Sequence, residues 1–115
     1  MRIIKDKISI SELQEICKNG PFTEVVKVVV DIEKGIMAID AEVHSELREL
    51  LIREENSNHR SLWGINLVPD REDEGFVVFD SLINLKPGMG NKTRGIDDTG
   101  IREKINAIIN KLVQK

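Results

Sequence analysis

The run from Val25 to Ile32, VVKVVVDI, does most to limit what this chain can fold into. It is rich in β-branched residues, and its even and odd positions are both largely apolar. That is the pattern of a central strand covered on both faces over part of its length. Glu33-Lys34-Gly35 follows as a tight-turn signal in which Gly35 is free to take the left-handed conformation. Residues 36–41 return as a partner strand, so the pair predicts a hairpin around which the rest must pack.

The flanking segments read as follows. Residues 2–5 are a short first strand. Ser9 caps a helix and Glu12 reaches back to it; Ile10, Leu13, Ile16 and Cys17 share its apolar face, and Asn19-Gly20-Pro21 stops it. Val43, Leu47, Leu50 and Leu51 recur at helical spacing and predict a second helix ending near Asn56. Residues 62–68 (LWGINLV) form a strand closed by Pro69, residues 70–75 an acidic solvated loop, and residues 76–85 (FVVFDSLINL) the next strand. Residues 86–96 are a Gly-rich loop. Asp97, Asp98 or Thr99 caps the last helix, whose face is Ile101, Ile105, Ile108, Ile109, Leu112 and Val113. The order β-α-β-β-α-β-β-α predicts an α+β fold: a mainly antiparallel sheet of about five strands with three helices, the helices on one face. With no repeat, low-complexity tract or linker, residues 1–115 are expected to form a single domain.

Composition excludes several function classes. A net charge of −3 and only four aromatic residues, none of them tyrosine, are the opposite of a nucleic-acid binder's signature. No run approaches the roughly 18 apolar residues of a membrane span, and charge breaks into the N-terminus too early for a signal peptide. The single cysteine, Cys17, cannot form an internal disulfide and falls on an apolar helix face, as an inert core thiol in a reducing compartment would. The expectation is a soluble cytoplasmic protein without nucleic-acid or membrane partners.

Candidate chemistry gathers near the C-terminal half. If Val68 faces Phe76, then Asn66 faces Val78 and Gly64 faces Asp80. Alternation then puts Trp63, Ile65, Leu67, Val77, Phe79, Ile83 and Leu85 on one face, and Asn66, Asp80 and Asn84 on the other. Asp and Asn are poor strand formers, and three readings account for them: a solvent-facing surface, a hydrogen-bonded structural network, or a ligand or catalytic site. In the following loop, Gly88, Gly90 and Gly95 stand beside Lys86, Lys92 and Arg94, so backbone N–H groups could converge on an anion, with Arg94 the best side chain to hold it. The alternative is a flexible loop with solvated lysines. Gly90-Asn91-Lys92-Thr93 looks like the end of a P-loop, but Asn91 stands where that motif needs glycine. Asp97 and Asp98 already occupy the positive end of the last helix. Asp40, Glu42 and His44 alternate. On a continuing strand they would share a face able to bind a metal or share a proton, and a helix starting at Glu42 would dissolve that geometry.

The chain also resembles a family of short uncharacterised microbial proteins, a domain of unknown function. The likeness runs through VVVDIEKGIMAI (residues 28–39), Glu42-Val43-His44, Leu62-Trp63-Gly64-Ile65-Asn66, FDSLIN (residues 79–84) and the loop Gly90-Asn91-Lys92-Thr93-Arg94-Gly95. It covers nearly the whole chain and implies a complete, stand-alone domain, with no catalytic residues to carry over.

Two functional expectations follow. The first is a site for a small anionic ligand where the last strand meets the Gly-rich loop, drawn from Asn66, Asp80, Asn84, Asn91, Arg94 and His44. There Asp80 would act as acid, base or metal ligand, Asn66 and Asn84 would orient the ligand, and Arg94 would hold its charge. The alternative is a non-enzymatic interaction module, a homodimer pairing edge strands or helix faces. No cofactor or resident metal is expected.

Overall fold

The computed structural model describes residues 1–115. In chain order the elements are β1 (Arg2–Ile4), β2 (Ile8–Ser9), α1 (Ile10–Asn19), β3 (Val26–Asp31), β4 (Ile36–Ile39), α2 (His44–Glu55), β5 (Leu62–Leu67), β6 (Val77–Val78), α3 (Thr99–Leu112) and β7 (Val113–Gln114). The fold is α+β, and its main sheet has the order β1-β4-β3-β5-β6 with every pairing antiparallel. The valine run is the middle strand of that sheet. Its hairpin closes as the turn residues dictate: Gly35 takes φ 69°, and Asp31 Oδ1 accepts the N–H groups of Glu33 and Lys34 at 2.9 and 3.0 Å.

Helix boundaries follow their caps. Ser9 Oγ accepts the Glu12 N–H at 3.1 Å and starts α1. Asp98 accepts from Gly100 and Ile101 and starts α3, and Asn56, left-handed at φ 54°, ends α2. None of the helices is long and apolar enough to cross a membrane.

The helices cover both faces of the sheet rather than one. Val28 and Val30 join Met37, Ile39, Trp63 and Ile65 on the face packed by α1 and α3 through Leu13, Ile105, Ile109 and Leu112. Val29, Ile36, Ala38 and Leu62 form the opposite face, under Leu47 and Leu51 of α2. The cause is already in β3: with both alternations apolar, neither side can be left to water. Trp63 anchors the larger core, and its indole N–H is buried and unpaired. A second, two-stranded sheet joins β2 to β7 in parallel, Ile8 opposite Val113. Val113 thus opens a strand instead of extending the helix face.

The largest departure from the sequence pattern comes after β6. Asn66 does face Val78, but the strand stops there, and the chain runs through Asp80 and Ser81 into a single-turn 3₁₀ helix at Leu82–Asn84. Gly64 therefore has no Asp80 opposite it. The Asn84 side chain takes the place of a strand, its Oδ1 accepting the Gly64 N–H at 2.8 Å and its Nδ2 donating to the Gly64 carbonyl at 2.9 Å. One buried amide thus continues the ladder where the backbone has turned away.

Candidate functional site

The turned-away segment leaves a cleft on the α2 side of the sheet, with a volume of about 370 Å³. β3 contributes Lys27, the one basic residue in its apolar run. The start of α2 contributes Val43, His44, Ser45 and Arg48; Ser81, Leu82 and Ile83 form the wall opposite, and Arg94 closes the end. Helical spacing aligns His44 and Arg48 one turn apart, while Leu47 and Leu51, anchored in the core, fix how α2 sits.

Four basic side chains line this cleft and no acidic one does, in a protein of net charge −3. Lys27 and Arg48 take part in none of the four ion pairs of the molecule. Arg94 Nε donates to Asp80 Oδ1 at 2.8 Å, which leaves both of its Nη groups without a protein partner. α2 also enters the cleft with bare N–H groups: its capping position is Val43, whose side chain accepts no hydrogen bond. The positive end of the helix dipole therefore adds to the side-chain charge.

His44 is buried, and its Nε2 lies 2.8 Å from the Ile65 carbonyl. A carbonyl only accepts, so Nε2 carries the ring proton and Nδ1 holds the lone pair, with no protein partner. Burial is the main force holding the imidazole below its ordinary value of 6.5; the Ile65 hydrogen bond opposes this, and the charges of Lys27 and Arg94 reinforce it. A folded-state value below the unfolded one means that the native protein binds fewer protons in between. Stability therefore falls as pH drops through 6.5, and stops falling only once the native ring itself is protonated. His59, lowered by Lys86 first and by burial second, acts in the same direction. His44→Gln, whose amide can still donate to Ile65, is accordingly expected to lose less stability than the wild type between about pH 7.5 and pH 5.5 in urea melts. Equal losses would mean that His44 is not the group that burial holds neutral.

The residues singled out in the sequence are placed differently from one another. Arg94 and His44 reach the cleft. Asp80 lies at its edge, paired with Arg94, and its backbone carbonyl accepts from Asn66 Nδ2 at 3.3 Å, while Asn66 Oδ1 is buried without a partner. Asn84 and Asn91 are spent on the backbone. Asn84 Nδ2 donates to the Arg94 carbonyl as well as to Gly64. Asn91 Nδ2 donates to the carbonyls of Asn84, Thr93 and Gly95, and its Oδ1 accepts the Asp97 N–H, stapling the Gly-rich loop. The loop closes on itself through Lys86 and Asn91, which uses the N–H groups of Lys86, Met89, Gly90 and Asn91 internally. Lys86 is buried, donates to the His59 carbonyl at 3.2 Å and stands 5.2 Å from the Trp63 ring centroid. Burial first and Arg48 second hold its amine below the ordinary value.

The Asp40–Glu42–His44 alternation does not form. β4 ends at Ile39, Asp40 turns left-handed at φ 72°, and α2 begins at His44. No group of three or more His, Cys, Asp and Glu side chains is placed to hold a metal ion. Cys17 is buried, its thiol donating to the Thr23 carbonyl at 3.2 Å and pushed above its ordinary value by burial, with Asp70 and Glu24 adding.

Lys27, Ser45, Arg48 and Ser81 were missed in the sequence. A lysine interrupting VVKVVV and a histidine and an arginine one helical turn apart were the signals that could have found Lys27 and Arg48.

The fold and the cleft define a small α+β domain with a cationic pocket between a sheet face, a helix start and a crossing loop. Residues 2–112 match the model of a family described as protein of unknown function (DUF5674), and the chain belongs to that family. No curated protein and no solved structure matches it.

Proposed function

We propose that this protein binds a small anionic ligand in the cleft between α2 and the segment after β6, in the reducing interior of the cell that its lone thiol suits. The observation that carries this reading is the convergence of Lys27, His44, Arg48 and Arg94 on one cavity that no carboxylate lines. Low-dielectric walls focus such a field, and an oxyanion can take both free Nη groups of Arg94 together with the helix N–H groups. Asp80 orients the guanidinium from behind. The alternative, self-association through sheet edges, has less support, because the edge strands β1 and β6 span three and two residues.

Sulfate is the probe of choice, since its charge is fixed across the neutral range. Calorimetry is expected to show binding that Arg48→Ala and Arg94→Ala each weaken by about tenfold, the cost of one charge-assisted contact. Asp80→Asn is expected to tighten it by removing the nearest negative charge. Both arginine variants should fold normally, because the Arg94–Asp80 pair is half-exposed and Arg48 has no partner. Affinity should also rise as pH falls, since a protonated His44 adds a cation facing the anion. Absence of binding by sulfate and phosphate at millimolar concentration would sink the reading.

A further inference from the structure

The mouth of the cleft is apolar, and its apolar residues are ones that local structure does not call for. Val43 occupies the N-cap of α2, a position where valine is among the least favoured residues and Ser, Asp or Asn the most. It is 49% exposed, so the core does not claim it either. Across the cleft, Leu82 starts the 3₁₀ turn at 64% exposure, the most exposed large apolar side chain of the chain. Ile83 beside it is buried and continues the apolar wall inward. Two exposed apolar residues on either side of one cationic cavity differ from the scattered exposed leucines of any surface. An aspartate at position 43 would cap the helix but would set a carboxylate at the entrance.

The cavity is also too large for a bare oxyanion. Its volume of about 370 Å³, set against the ~30 Å³ share of one liquid water, matches a small organic molecule. We infer that the ligand is an amphiphilic organic anion: a phosphate or carboxylate head held by Arg48, Arg94 and Lys27, and a short hydrocarbon body lying between Val43 and Leu82. This inference rests on the anion-binding reading above and adds the ligand's second half.

Calorimetry of the full chain with inorganic phosphate, methyl phosphate, butyl phosphate and hexyl phosphate tests it, with hexanol as the neutral control. Affinity is expected to rise by roughly two- to fourfold per methylene over the first few carbons, as partly to fully buried methylenes give. Leu82→Ser and Val43→Ala are expected to flatten that slope while leaving inorganic phosphate affinity unchanged. Both side chains are exposed, so folding is preserved and is checked by circular dichroism. Equal affinity along the series overturns the inference and leaves the anion site standing. A slope that neither variant changes also overturns it, because the body then lies elsewhere. No binding by any of the phosphates removes both readings. Vesicles of phosphatidylglycerol separate the two sources of such a molecule. Binding of hexyl phosphate without vesicle pelleting identifies a free metabolite, and pelleting that hexyl phosphate competes away identifies a lipid headgroup, both in support. Pelleting that hexyl phosphate does not compete away counts against it.

Discussion

Asn84→Ala is expected to lower the unfolding free energy by roughly 3–5 kcal/mol, a large share of the 5–15 kcal/mol typical of a domain. The side chain is fully buried and serves three backbone groups: the N–H and carbonyl of Gly64 and the carbonyl of Arg94. Alanine leaves the Gly64 N–H and carbonyl without a partner in a site closed to water, each at a cost of about 1–3 kcal/mol, and takes from the Arg94 carbonyl one of its two donors, the Ser81 N–H remaining. Asn84→Asp separates the two halves of the amide. It keeps the acceptor for the Gly64 N–H but sets an oxygen against two carbonyls, so it is expected to be at least as damaging. Urea titrations with an unchanged m-value check both. A loss below about 1 kcal/mol for alanine would show that the segment after β6 is held by other means.

This amide also shows where sequence reasoning stops. The hairpin was legible because a β-branched run and a glycine turn are local facts, and α1 was legible because Ser9 and Glu12 cap it within one turn. The pairing of Asn66 with Val78 follows once Val68 is set opposite Phe76, and both are found. Beyond Val78 the pattern FVVF-SLI-L still alternates, yet the strand ends, because an Asn side chain can mimic a backbone partner only once tertiary structure has set Gly64 beside it. The same limit governs the site. Arg94 and His44 were singled out from charge and spacing and do face one cleft, whereas Asn84 and Asn91, polar in the same pattern, point at carbonyls that no local rule could supply. Helices on both faces were implied by the double apolar alternation of β3, and the rule linking antiparallel sheets to one covered face hid it. The β2–β7 pair, two residues long, lies below any periodic signal.

Gly64→Ala is expected to destabilise by about 3 kcal/mol or more, at the upper end of what overpacking costs. A Cβ built on Gly64 would stand 2.5 Å from both Cβ and Oγ of Ser81, and 3.1 Å from Ile83 Cγ1. Ser81 cannot easily give way: its N–H is bonded to the Arg94 carbonyl at 2.9 Å, and its Oγ accepts the Ile83 N–H at 3.3 Å. Ser81→Gly removes both offending atoms and should itself cost about 1 kcal/mol through the lost turn bond and added chain freedom. In the double variant the two effects should not add. About 1–2 kcal/mol is expected to return, the sign of a shared contact in a double-mutant cycle, with the Ile83 contact accounting for what does not. Simple additivity would mean that β5 bends away from the methyl and that Ser81 is not what the glycine makes room for. The cycle bears on the cleft as well, because Ser81 lines it. If close approach of Ser81 to the sheet is what draws Leu82 and Arg94 over the start of α2, Gly64→Ala should weaken sulfate binding while the protein remains folded, and Ser81→Gly in the same chain should restore part of it.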